Sequence, residues 1–393
     1  MRQLAGLYAI FLLMVTIFSC NNNPPAAANR VTDTIVTTKP SWALLPFTKI
    51  DSANPVLTPG QGSFICPVRK ENVLWENKDV FNPALVVRND TVFLLYRAQD
   101  SVGKPGGTSR IGLAFSTDGI HFKRQQTPVF YPGNDPFKKY EWEGGCEDPR
   151  IVEDSSGKYY MTYTAFDGKT ARLLVATSTD LQHWVKYGPA FMKAYNGKYK
   201  DVWSKSGSIV STYNANGKIV AAKINGKYWM YWGDKYLWAA TSDDLINWQP
   251  VEKEAGDTSK TEIPVFEGVD ISRLVVALKY RPNKFDNDLV ESGPPAMLTA
   301  DGIVLLYNGR NTVATGDKAL AEGTYTSCQA LFDKNNPAKV IDRMNDYFMK
   351  PDKPYEKTGQ VNQVCFIEGL ARFKNHWWLY YGTADSKIAV AVK

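Results

Sequence analysis

Four short segments of this 393-residue chain carry side chains able to move protons in one place. They are Glu147-Asp148-Pro149-Arg150, Ser204-Lys205-Ser206-Gly207, Glu291-Ser292-Gly293-Pro294 and Ile367-Glu368-Gly369-Leu370. A fifth, Phe81-Asn82-Pro83-Ala84, shares their context and brings an amide. Pro149 disfavours helix for Asp148 and holds it extended. Arg150, two residues on, is then expected on the same strand face, as an ion-pair partner. Glu291 and Glu368 are each followed by a glycine, Gly293 and Gly369, which a close ligand or tight strand packing would require. Several carboxylates around one concavity suit glycosidic cleavage: one acid protonates the leaving oxygen and one carboxylate activates water or attacks the sugar. Like-charge crowding should raise at least one of their pKa values. Arg97 and Lys205 would add positive charge, and Trp142, Trp203, Trp232 and Trp238 are candidate stacking surfaces for sugar rings.

Bringing these segments together needs a repeating scaffold, and the chain has one. Ser116-Thr117-Asp118-Gly119-Ile120-His121-Phe122 recurs as Ser178 to Trp184 and as Ser242 to Trp248, each reading Ser-x-Asp-x-x-x-aromatic. Each copy follows a short apolar run, and an aromatic-rich run lies upstream (92–96, 159–163, 228–232). Two looser units follow, 302–307 with 327–332 and 377–381 with 388–392. A strand, a return strand and a fixed turn, five times over, predict an all-β chain folded as a five-bladed β-propeller. The first strand of each blade would line the axis, so the five segments should converge at one mouth. His121, His183 and Asn247 share one repeat position and are expected to be turn residues.

Composition agrees with a large β core: 44% of residues are hydrophobic and 13% aromatic, with no helical period sustained beyond the N-terminus. The formal charge of +6 is scattered, which disfavours nucleic acid as a partner. Cys66, Cys146, Cys328 and Cys365 form no C-x-x-C pair and read as packed thiols; with three histidines, neither a metal site nor a cofactor is implied. Met1-Arg2 and the apolar run 4–18 read as a signal peptide ending at Ile17-Phe18-Ser19-Cys20, similar to a bacterial lipobox, which would make Cys20 a lipidation site. An ordinary signal peptide with an incidental cysteine is the alternative. Residues 1–20 are thus expected to be a signal peptide, 21–45 a polar tether, and 46–393 the propeller, held at the bacterial cell envelope only through a lipid.

Tyr96-Arg97-Ala98, Glu147-Asp148-Pro149-Arg150, Ser292-Gly293-Pro294-Pro295 with Leu306-Tyr307-Asn308-Gly309, and Tyr380-Tyr381-Gly382-Thr383-Ala384-Asp385 together resemble glycoside hydrolase family 130. The resemblance, from about Pro55 to the C-terminus, implies a five-bladed propeller acting on β-mannosides. It also implies Asp148 as general acid, acting in the phosphorylase members through a hydroxyl of the bound mannose. The family's phosphorylases hold phosphate with a His-containing basic cluster, and their Tyr-His-Gly is Tyr307-Asn308-Gly309 here. Glu291 and Glu368 stand where they carry small residues. The departure looks like the hydrolytic branch, known for β-1,2-mannosidases: inverting and exo-acting, with Glu291 and Glu368 activating water. Asn82, Arg97, Arg150, Lys205, Asn308, Tyr381 and Asp385 would then bind a mannose-containing oligosaccharide. A mannoside phosphorylase and a non-catalytic glycan-binding lipoprotein are the rival expectations.

Overall fold

The computed structural model describes residues 39–104, 106–259 and 263–393. The expected signal peptide, Cys20 and most of the expected tether lie outside them. The described chain is all-β apart from single turns of helix at Lys138–Glu141, Ala194–Gly197 and Pro354–Lys357.

Most of its strands, among the described residues, form five antiparallel ladders in chain order. The first runs Asp79–Arg88, Thr91–Gln99, Ser109–Ser116, Lys123–Arg124, and the second Gly145–Glu153, Tyr159–Phe166, Ala171–Ser178, Val185–Pro189. The third comprises Ser208–Ile209, Lys227–Trp232, Tyr236–Ser242 and Trp248–Pro250. In the fourth, Leu289–Ser292 and Met297–Leu298 share the partner Ile303–Arg310, followed by Tyr325–Phe332 and Val340–Arg343. The fifth is Cys365–Phe373, His376–Thr383 and Lys387–Val392, and its last strand comes from the other end of the chain: Thr48 pairs with Val392 and Lys49 with Ala391. The expected start at residue 46 also falls inside the packed chain, since Leu44 exchanges hydrogen bonds with the Gln329 side chain and Trp42 donates to Asp342.

The repeated turn is built the same way three times. Ser178 Oγ accepts from the Asp180 and Leu181 amides at 3.1 and 2.9 Å, while one Asp180 oxygen accepts from the Gln182 and His183 amides. Asp180's other oxygen meets the His183 ring at 2.7 Å, as Asp118 meets His121 and Asp244 meets the Asn247 amide. The fourth position needs a positive φ, which Gly119 adopts freely and Leu181 and Leu245 adopt at +67° and +65°. Burial of the leucine side chains in the core offsets that strain. The two histidines are turn residues, as expected.

The first strands of the first, second and fifth ladders break near their middle. Register shifts at Phe81/Pro83, Glu147/Arg150 and Ile367/Gly369 insert Asn82, Asp148 and Glu368 as bulges. Asn82, Asp148 and Ser206 sit at φ near +50°. The fourth ladder breaks outright between Ser292 and Met297. Cross-links join neighbours through these breaks: Asn82 to Asp148, Thr162 to the Gly207 carbonyl, Ser208 to the Pro294 carbonyl, and Asn308 to the Ile367 backbone. Between the fifth and first ladders, a Cβ on Gly369 would stand 2.8 Å from the Pro83 carbonyl oxygen. Strand packing, not a ligand, explains that glycine, and Gly293 is pressed likewise against the Leu306 and Ile367 carbonyls.

Candidate active site

A cavity of about 410 Å³ opens over the breaks, lined by Asn82, Arg97, Asp148, Lys205, Glu291 and Asp385 among others. A larger, mainly apolar cavity of about 660 Å³ beside Tyr236 and Trp238 has no carboxylate among the described residues that line it.

Asp148 is the most constrained group. Its Oδ1 accepts from Asn82 Nδ2 at 3.0 Å and Arg97 Nη1 at 3.1 Å, and Lys205 Nζ stands 3.9 Å from Oδ2. Burial opposes its charge, yet Arg97, Lys205, Asn82 and Arg150 outweigh burial and bring its pKa down to about 2. Glu291 lies 3.4 Å from the same Lys205 ammonium and accepts from Ser206 Oγ. Its pKa moves up, through burial first, with Lys205 pulling against it and Asp234 and Asp148 adding to it. Asp385 rises to about 7, again through burial first, which together with Asp148 and Glu291 outweighs the pull of Arg97 and Lys205. The expected like-charge effect is present, but it falls on Glu291 and Asp385 and not on Asp148.

Four expected site residues are placed elsewhere. Bulging at Asp148-Pro149 abolishes the two-residue alternation, so Arg150 does not share a face with the Asp148 carboxylate. Its guanidinium instead donates to the carbonyls of Gly293 (2.7 Å), Ser292 (2.6 Å) and Asp148 itself (3.2 Å). Asn308 is buried and spent on the Ile367 amide and carbonyl. Tyr381 donates to the buried Glu356, which also pairs with Lys49 of the N-terminal strand. Glu368 is fully buried, does not line the cavity, and has Arg150 Nη2 at 3.5 Å. Of the four tryptophans, Trp232 and Trp238 pack on each other in the core, whereas Trp142 and Trp203 remain partly exposed. The four cysteines in the described residues are buried free thiols.

Glu322 also lines the wall, as do Arg310, Tyr325, Asn362 and Phe366, and these last four were not legible as site residues. They stand at strand ends and in connecting segments that follow no repeat. Glu147, which accepts from Arg97 Nη2 at 2.7 Å and Ser109 Oγ at 3.0 Å, could have been read from its place beside Asp148.

The profile of the Glyco_hydro_130 family, described as β-1,4-mannooligosaccharide phosphorylase, matches residues 51–393. The chain belongs to glycoside hydrolase family 130. Among family members it is 31% identical over 328 residues to a 1,2-β-oligomannan phosphorylase of Thermoanaerobacter sp. (strain X514), covering 81% of this chain and 90% of that one. A crystal structure of a glycosyl hydrolase from Bacteroides ovatus is 46% identical, with a TM-score of 0.83 over 90% of this chain and 95% of that one. A further structure is described as showing that the family 130 mannoside phosphorylases contain glycoside hydrolases targeting β-1,2 mannosidic linkages in Candida mannan. It is likewise 46% identical, with a TM-score of 0.84, covering 90% of this chain and 95% of that one.

Proposed function

We propose that this family 130 member is a β-mannosidase that transfers the mannosyl group to water, exo-acting and inverting, on β-1,2-linked mannosides. One observation carries the choice of water over phosphate. Among the described residues, every cation lining the cavity is already paired: Arg97 with Glu147 and Asp148, Lys205 with Asp148 and Glu291, Arg310 with Asp288. A phosphate would enter against Asp148, Glu291 and Asp385 with no unspent positive charge to meet it. One carboxylate about 4 Å from a phosphate charge costs on the order of 4 kcal/mol at an effective dielectric near 20. Asn308 adds no charge to offset this, being committed to the Ile367 backbone.

In this reading Asp148 delivers the proton to the leaving oxygen and Glu291 activates the water. Both carboxylates lie within 4 Å of the Lys205 ammonium, close enough to act on one sugar ring. Because Asp148 is ionised in the free site, its proton comes from within the cluster, where Asp385 titrates at about 7. The cyclic cross-linking of the five ladders supports a five-bladed propeller with this cavity at its mouth. The phosphorylase reading draws support from the named activity of the Thermoanaerobacter relative. Incubation with β-1,2-mannobiose, with and without phosphate, separates the two: free mannose in both arms, or mannose 1-phosphate in one.

We also propose that residues 1–20 direct export and that Cys20 carries the lipid, placing the catalytic unit at the cell envelope. Cys20→Ala should leave mannosidase activity intact and move it from the membrane fraction to the soluble one. Retention in the membrane fraction would mean that the apolar run itself is the anchor.

A further inference from the structure

Glu368 and Glu291 come from matching places in neighbouring ladders, yet their surroundings differ. Glu291 faces the cavity beside Lys205. Glu368 is 0% exposed, and neither of its carboxyl oxygens has a hydrogen-bond partner. A water attacking a sugar in the cavity cannot reach it. We propose that Glu368 is a positioning residue, a carboxylic acid sealed beneath the cavity that orients Arg150 and, through Arg150, sets the spacing of Asp148 and Glu291.

Arg150 connects the two halves of the chemistry. Its three donating nitrogens reach the Asp148 carbonyl in the second ladder and the Ser292 and Gly293 carbonyls, next to Glu291, in the fourth. Its position therefore fixes the two reacting carboxyls relative to each other. Among the described residues, Glu368 is the one carboxyl within ion-pair distance of it, at 3.5 Å. That contact lies outside hydrogen-bond geometry, the guanidinium directing three of its five N–H groups to backbone carbonyls. It acts by packing against a guanidinium whose charge is also felt by Asp148. The groups facing Glu368 are Arg150 and Asp148 of the second ladder, Glu291 of the fourth and Arg97 of the first. An ionised Glu368 would be a desolvated charge without hydrogen bonds, beside two other carboxylates, an arrangement costing several kcal/mol. Burial first pushes its pKa well up, with Asp148 and Glu291 adding to it and Arg150 and Arg97 pulling against it, which favours the neutral acid.

The inference rests on the hydrolase reading and is tested apart from it. Glu368→Gln, Glu368→Ala and Glu291→Gln are assayed on β-1,2-mannobiose across pH 5 to 9, with and without phosphate, with a thermal melt of each. The neutral isostere Glu368→Gln should keep kcat within about threefold and leave the pH profile unmoved. Glu368→Ala, which removes the prop, should lose about 10- to 100-fold in kcat with little change in KM. Glu291→Gln should lose the roughly 10²–10⁴-fold worth of a general base. If Glu368→Gln falls as far as Glu291→Gln while melting like the wild type, Glu368 is a base and the proposal is wrong. Wild-type kcat in Glu368→Ala would equally overturn it. The hydrolase reading fails separately, if wild-type enzyme forms mannose 1-phosphate.

Discussion

Two regions repeat around this molecule, and they repeat different things. At the Ser-x-Asp turns the same side chains recur with the same hydrogen bonds, down to a ring or amide nitrogen on the second aspartate oxygen. At the broken first strands it is the backbone that recurs, with bulges at Asn82, Asp148 and Glu368 and φ near +50° at Asn82, Asp148 and Ser206, under unlike side chains. The turns repeat because each has one task, satisfying amides that leave a strand. The breaks repeat in shape alone, and each aims a different group inward: an amide, a carboxylate, a hydroxyl beside an ammonium. Conserving the backbone device while varying its side chain lets one scaffold assemble an asymmetric site.

If that contrast holds, damage at a break should abolish chemistry and damage at a turn should cost only stability. Asp148→Asn keeps the shape and the Asn82 contact while removing the acid. It should lower kcat by about 10²–10⁴-fold or more with native circular dichroism. Residual activity within a few-fold of wild type would mean that another group carries the proton.

Asp180→Ala, at a turn, removes the acceptor for two backbone amides and the His183 ring. By analogy with helix caps it should cost about 1–2 kcal/mol in denaturant unfolding and leave kcat unchanged. A loss of activity without a loss of stability would erase the distinction between the two regions.

Asp385 provides a finer probe. Its carboxyl titrates at about 7 in the folded protein against an ordinary value of 3.8, so between those limits the native state holds the extra proton. Stability from this site is thus fullest below pH 3.8 and declines as pH rises to about 7. Asp385→Asn should raise the melting temperature at pH 8 and leave it unchanged near pH 3.5. Partial exposure of Asp385 keeps the gain to a few degrees. In the wild type, kcat/KM should fall as pH rises through about 7, and a flat profile to pH 9 would remove Asp385 from the proton path.

The same contrast explains what could be read from sequence. The strand–turn rhythm was legible because the turn residues are themselves the repeat. Asn82, Arg97, Asp148, Lys205, Glu291 and Asp385 were legible as a group because ionisable or amide residues next to Pro and Gly stand out in apolar strands. Arg150 and Glu368 were misplaced because a bulge shifts side-chain alternation, and nothing in a single strand announces which residue is the extra one. Asn308 and Tyr381, placed by resemblance, are instead spent on the Ile367 backbone and on Glu356. Thr48–Lys49 closes the fifth ladder with two residues, too few for any periodic signal. Arg310, Tyr325 and Asn362 reach the cavity from strand ends and connecting segments, where position is set by the fold rather than by local pattern.

The central claim is that paired cations and facing carboxylates make water the acceptor. Proton NMR of wild-type enzyme turning over β-1,2-mannobiose, in parallel with and without 10-fold excess phosphate over substrate, tests it directly. The account predicts α-mannose as the first-formed product at the same rate in both samples. Accumulation of mannose 1-phosphate in the phosphate sample would contradict it.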